Sequence, residues 1–192
     1  MKRVCVFCGS NSGSASYAIA TKRVGEFLIE QGLELVYGGG SVGLMGVVAD
    51  AALASGGKVI GVIPQALAIR ELLHTGLTEV HVVESMHERK ALMAKLSDAF
   101  IALPGGFGTL DELFEILTWG QLKQHAKPIG LLNINGYFDK LLEFIDHTMA
   151  EAFVKEKYRS LFHVDDTIEG LWVRMKKHEP PKSLKWIDLS QT

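Results

Sequence analysis

Residues 99–112 read Ala99-Phe100-Ile101-Ala102-Leu103-Pro104-Gly105-Gly106-Phe107-Gly108-Thr109-Leu110-Asp111-Glu112: an apolar run, a proline–glycine break, then the opening of an amphipathic segment. The apolar part suits a strand buried on both faces, and Leu110–Leu122 carries the helical period. The same order recurs along the chain. Strand candidates are Arg3–Cys8, Leu33–Tyr37, Lys58–Ile63, Glu79–Val83, Ala99–Leu103, Pro128–Leu132 and Phe162–Val164; helix candidates are Ser16–Gln31, Leu44–Ser55, Met86–Leu96, Leu110–Leu122, Tyr137–Ala152 and Thr167–Lys177. In the first helix Ala20, Val24, Phe27 and Leu28 recur at three and four, one stripe to lay against a sheet. Short buried strands alternating with helices form a parallel sheet, and six βα units of about thirty residues nearly exhaust the chain. The predicted fold is therefore α/β: a doubly wound, mostly parallel sheet of about seven strands with helices on both faces.

The length of 192 residues suits a single domain, with residues 180–192 as a peripheral tail, because halving it would leave two undersized cores. Twenty Lys plus Arg against 22 Asp plus Glu leave no basic footprint for a nucleic-acid backbone, so no nucleic-acid partner is expected. No window holds eighteen consecutive apolar residues, so no membrane span is expected. The apolar stretch before Gly9 is too short for a signal-peptide core. Cys5 and Cys8 form C-x-x-C, but inside a strand-like run rather than at a helix start and without nearby zinc ligands, so they read as buried, reduced thiols in a cytoplasmic protein.

Twenty glycines stand beside only five prolines, and the glycines gather where strands give way to helices. Gly9 and Gly13 follow the first strand; Gly38, Gly39, Gly40, Gly43 and Gly46 follow the second; Gly105, Gly106 and Gly108 follow the fifth. In a doubly wound sheet these turns share the carboxyl edge where ligands bind. The second loop, Gly38 to Gly43, fits G-x-G-x-x-G, but the acid that would bond an NAD ribose about twenty residues on is missing from Lys58–Pro64, which disfavours a dinucleotide. What remains is a set of backbone donors at Gly39, Gly40 and Ser41 open to an anion, or glycines that merely permit tight packing.

The fifth loop places Thr109 at the start of a helix and Glu112 one turn inside it, with no P-loop lysine following. Thr109-x-x-Glu112 also spells a capping box, so Glu112 is either a capping residue or a catalytic carboxylate. Arg89 and Lys90, in Met86-His87-Glu88-Arg89-Lys90, put cations near a helix N-terminus, where they need an offset. An anionic ligand supplies one; Glu84 and Glu88 on a solvated face supply another, and His87 reads as surface.

The motifs P-G-G-x-G-T-x-x-E (Pro104 to Glu112) and G-G-G-x-x-G-L-M-G (Gly38 to Gly46), with Met86-His87-x-Arg89-Lys90 and Leu117-Thr118-Trp119, resemble the LOG (Lonely Guy) phosphoribohydrolases, often labelled lysine decarboxylases. The resemblance covers nearly the whole chain. It implies a Rossmann-like homodimer that hydrolyses the N-glycosidic bond of a nucleoside 5′-monophosphate, releasing free base and ribose 5-phosphate. By matching position it implies Arg89 and Glu112 as the catalytic pair. It likewise implies Lys90, Gly105, Gly106, Phe107, Gly108, Thr109, Leu110, Asp111 and Thr118 as substrate contacts. Glu71, in Ile69-Arg70-Glu71, is similar to a family substrate-binding acid, although its surroundings depart from the family pattern.

Cleavage at an anomeric carbon passes through an oxocarbenium-like state, which calls for a carboxylate to stabilise the sugar and activate water. Glu112 is the expected group, with Asp111 and Glu115 as alternatives. Arg89 would orient it, the glycine loop would hold the 5′-phosphate, and an apolar wall would receive the base. No metal or cofactor is called for, and no lysine stands out as a Schiff-base partner for pyridoxal phosphate. A non-catalytic nucleotide carrier on the same fold is the rival reading, since fold does not fix function.

Overall fold

The computed structural model describes residues 1–68 and 72–181. Seven strands form one sheet: β1 (Arg3–Phe7), β2 (Glu34–Tyr37), β3 (Val59–Pro64), β4 (Glu79–Val83), β5 (Ala99–Ala102), β6 (Ile129–Leu132) and β7 (Phe162–Asp165). Their order is β4-β3-β2-β1-β5-β6-β7, and every pairing is parallel. The order reverses between β1 and β5, which opens a crevice at their carboxyl ends.

The helices are α1 (Ala15–Glu30), α2 (Gly43–Ala54), α3 (Gln65–Leu67, a single turn), α4 (Met86–Leu96), α5 (Phe107–Gln121), α6 (Asp139–Ala150) and α7 (Ile168–Lys176). Strand periodicity sorts the core into two layers. Val4, Val6, Leu35, Tyr37 and Ile101 pack under α1, α2 and α7; Cys5, Phe7, Val36, Ile60 and Phe100 pack under α4, α5 and α6. Cys8 belongs to the first layer and Cys5 to the second, so the C-x-x-C pair points to opposite faces of the sheet. Both thiols are free and buried, and burial raises the pKa of each.

The expected elements are present, with shifted ends. The helix expected from Tyr137 begins at Asp139, behind a 3-10 turn over Ile134–Gly136 in which Asn135 takes a left-handed φ of 53°. α5 begins at Phe107, three residues before the expected Leu110, because Gly106 is its N-cap. Among the described residues no helix is long and apolar enough to cross a membrane.

Candidate active site

Three loops at the carboxyl edge close around a cleft of about 510 Å³. The first contributes Cys8, Ser10 and Asn11, the second Gly38, Gly40 and Val42, and the fifth Gly106, Phe107, Gly108 and Thr109. Arg89 and Glu112 also line it, and Met45, Ile63, Leu67 and Leu72 form an apolar wall.

Arg89 is buried, not part of a solvated face. Its Nε donates to the Val62 carbonyl and its Nη2 to the Gly38 carbonyl, both at 3.0 Å. A β carbon at residue 38 would collide with that guanidinium, so glycine there makes room for the cation. The remaining nitrogen, Nη1, lies 3.6 Å from Glu112 Oε1, an ionic contact longer than a hydrogen bond.

Glu112 is 8% exposed. Burial pushes its carboxyl up from 4.5 to about 7, against the downward pull of Arg89. A carboxyl poised there exchanges protons readily at neutral pH. The capping alternative fails on geometry: Gly106 is the N-cap, no side chain caps α5, and Thr109 is already inside the first turn.

Because nothing caps α5, the backbone N–H groups of Phe107, Gly108 and Thr109 have no partner within the helix, and all three residues line the cleft. Leu110 N–H is the first to bond back, to Gly106 O at 3.1 Å. Apart from the chain neighbours and the helix's own backbone, no described atom lies within 4 Å of where a β carbon would sit at Gly106 or Gly108. Packing therefore does not explain these two glycines, and the space in front of them is open. Thr109 is buried at the back of the loop, its hydroxyl close to Gly105.

The second glycine loop is built differently. Gly43 has φ +59°, and a β carbon on it would strike the Ser10 backbone, so it joins the first two loops by close approach. Gly39 O accepts from His74 N–H at 2.9 Å, and Ser41 N–H donates to Leu72 O at 2.8 Å. The Ser41 N–H is thus used within the chain, while at Gly39 only the carbonyl is; Gly40 alone of the three lines the cleft.

Lys90 lies outside the cleft. Its Nζ is 3.0 Å from Asp111 Oδ2 and 3.2 Å from Glu115 Oε1. Burial pulls its pKa down, but the bonds from Asp111 and Glu115 outweigh this and hold it above the ordinary value. Leu110, Asp111 and Thr118 line an open depression on the outer side of α5, with Thr118 Oγ1 donating to Phe114 O at 2.7 Å. At 100° per residue, Asp111 and Thr118 cannot share the face that carries Glu112. Gly105 opens on a second hollow beside Tyr137, whose hydroxyl donates to Gly105 O at 2.6 Å. Glu71 lies outside the described residues. Ser10, Asn11, Met45, Leu67 and Leu72 were not singled out in the sequence; of these Ser10 and Asn11 carried a signal in their place between two loop glycines, and Met45 in its place within the G-G-G-x-x-G-L-M-G motif.

A family model described as "Possible lysine decarboxylase" matches residues 45–175. The cytokinin riboside 5′-monophosphate phosphoribohydrolase LOG of Oryza sativa subsp. japonica is 49% identical over 97% of this chain and 78% of its own. That of Arabidopsis thaliana named LOG1 is 46% identical over 99% of this chain and 92% of its own. The chain belongs to the LOG family. Among solved structures, the molybdenum cofactor carrier protein of Chlamydomonas reinhardtii superposes with a TM-score of 0.68 over 92% of this chain and 96% of that one. At 21% identity that likeness shows the Rossmann-like fold alone. The decarboxylase description does not fit this LOG-family cleft, which no lysine lines among the described residues; Lys90, the nearest in sequence to Arg89, is held charged by two carboxylates.

Proposed function

We propose that the protein hydrolyses the N-glycosidic bond of adenosine 5′-monophosphates, including N6-substituted cytokinin nucleotides, releasing free base and ribose 5-phosphate. The observation that carries this reading is the depth of the Arg89–Glu112 pair, one turn below an uncapped helix N-terminus whose glycines face open space. The free N–H groups of Phe107, Gly108 and Thr109, with the positive end of the α5 dipole, receive the 5′-phosphate. The apolar wall of Met45, Leu67 and Leu72 receives the base.

In the reaction the bond from C1′ to the base nitrogen breaks and its electron pair leaves with the base. Glu112, as carboxylate, faces the developing positive charge on the sugar and takes a proton from the attacking water, whose oxygen bonds to C1′. The proton passes to the base nitrogen, so water is consumed and Glu112 is regenerated. Arg89, fixed by two carbonyls, holds the carboxylate in place and helps keep it ionised. Incubation with AMP and with isopentenyladenosine monophosphate, followed by chromatography of free base, tests the reading; no base from either substrate refutes it.

The active form on this reading is a cytoplasmic homodimer. Phe114 on α5 and Phe144 on α6 are exposed apolar side chains lining a groove between these helices. A second copy covering that face would meet Asp111 and Thr118, which this chain's own cleft does not use. Light scattering of the purified protein tests the dimer, and a monomer that turns over normally would remove it.

A further inference from the structure

The edge of the sheet opposite the cleft holds a cavity of about 320 Å³ at the amino ends of β6 and β7. Lys123, His125, Lys127, Lys157 and His178 line it, and no Asp or Glu does among the described residues. Over the whole chain acids slightly outnumber bases, so the excess of cations here is local. Among the described residues none of the cavity lysines pairs with a carboxylate; elsewhere Lys2, Lys22, Lys58, Lys90 and Lys140 do, while Lys95, Lys155, Lys176 and Lys177 do not.

Helix chemistry accounts for part of this cluster. Lys127 Nζ donates to Ala94 O at 2.8 Å, close to the carboxyl end of α4, and Lys123 follows the carboxyl end of α5. Cations are favoured at both places. The left-handed φ of 60° at Lys123 belongs to the same helix end, where Lys123 N–H donates to Gly120 O and Gln124 N–H to Trp119 O, and His178 in turn follows the carboxyl end of α7. Helix ends do not account for Lys157, which comes from another segment and completes the ring.

His125 has no capacity left for a ligand. Its Nε2 donates to Ile116 O at 2.9 Å and its Nδ1 accepts from Lys127 N–H at 3.2 Å. His178 is different: its Nδ1 meets His163 Nε2 at 3.1 Å, which leaves Nε2 without a partner among the described residues. Lys123, Lys157 and the His178 Nε2 are thus the available donors, set around apolar walls of Ile129, Tyr158 and Leu161.

We propose that this cavity is a second ligand site, for a small polyanion such as a phosphorylated metabolite with an apolar body. It is separate from the cleft, because α5 runs between them with its amino end at one and its carboxyl end at the other, about 22 Å for its length. The ammonium groups of Lys123 and Lys157, with the charge of Lys127 beside them, attract an anion more strongly in this concave, partly apolar setting than on an open surface.

The test is a titration of the full chain with inorganic pyrophosphate, followed by NMR of the histidine ring protons. The His178 signal and that of His163, which is bonded to it, assigned with His163→Gln and His178→Gln, report on this cavity; among the described residues no histidine lines the cleft, so phosphate bound there leaves them unmoved. The expected result is a saturable shift of both signals. Lys123→Gln with Lys157→Gln should weaken that binding about tenfold while leaving free-base release unchanged. Absence of a saturable shift in the wild-type protein overturns the proposal, as does an unchanged affinity in the double variant.

Discussion

Replacing Glu112 by Gln separates stability from chemistry in opposite directions. The carboxyl titrates near 7 in the folded protein and near 4.5 when unfolded. Between those values the folded state holds a proton that the unfolded chain has released, so stability falls as pH rises through this window. At 1.36 kcal/mol per unit, ionising Glu112 in its buried site costs about 3 kcal/mol by pH 8. Gln is neutral throughout and keeps the shape. The variant should match wild type near pH 4.5 and exceed it at pH 8 by up to about 3 kcal/mol, or roughly 6–12 °C in a domain of this size. Turnover should meanwhile fall about 10²–10⁴-fold, the usual contribution of a positioned acid–base group. Thermal unfolding at several pH values, with free-base release on the same samples, checks both. A variant no more stable than wild type at pH 8 would refute the burial argument, and one that keeps normal turnover would refute the catalytic assignment.

The glycines divide into two kinds. Gly106→Ala should leave melting nearly unchanged, since open space receives the methyl, yet raise KM for AMP about tenfold or more by crowding the phosphate donors. Gly43→Ala should cost about 2 kcal/mol or more, from the positive φ and the collision with Ser10, as denaturant titration would measure. Arg89→Lys loses the fork that serves the Val62 and Gly38 carbonyls and should destabilise by about 2–4 kcal/mol while abolishing turnover; a stable, active variant would contradict this. Tyr137→Phe removes the bond to Gly105 O that shapes the fifth loop, and should raise KM about threefold to tenfold with kcat preserved.

Strand and helix identities were legible because each βα unit carries its own local signal, a buried apolar run followed by an amphipathic one. The start of α5 was not. Gly106 serves as an N-cap, but a glycine before a helix looks like any loop glycine, so Thr109 drew the capping role that it does not fill. The roles proposed for Arg89 and Glu112 were narrowed only by the family motif. Spacing alone left Arg89 as a surface charge or an anion contact and Glu112 as a cap or a catalytic carboxylate, because what separates these is tertiary: the carbonyls of Val62 and Gly38 that receive the guanidinium, and the burial that lifts the carboxyl. The second glycine loop was only partly legible for the same reason. Its G-x-G-x-x-G spacing matches an anion cradle, while the contacts to the Ser41 N–H and the Gly39 carbonyl come from Leu72 and His74, some thirty residues on.

Three acids stand on α5 within five positions, and the fold assigns them different tasks. Asp111 and Glu115 are drawn to Lys90 on the outer side, which leaves Glu112 as the only carboxylate lining the cleft among the described residues. Its depth also matters. From Gly108 or Phe107, whose N–H groups have no partner within the helix, to Glu112 is four or five residues, about 6–7.5 Å of helix rise and the scale of a ribose 5-phosphate. A phosphate held at the helix start thus brings the anomeric carbon level with the carboxylate. A carrier on the same fold would need the phosphate donors but not a buried acid at that depth, with an arginine held beside it by two carbonyls. Burial of the Glu112 carboxylate costs the folded protein stability as pH rises through its titration, and the proposed attack on the ligand's sugar gives that cost a use.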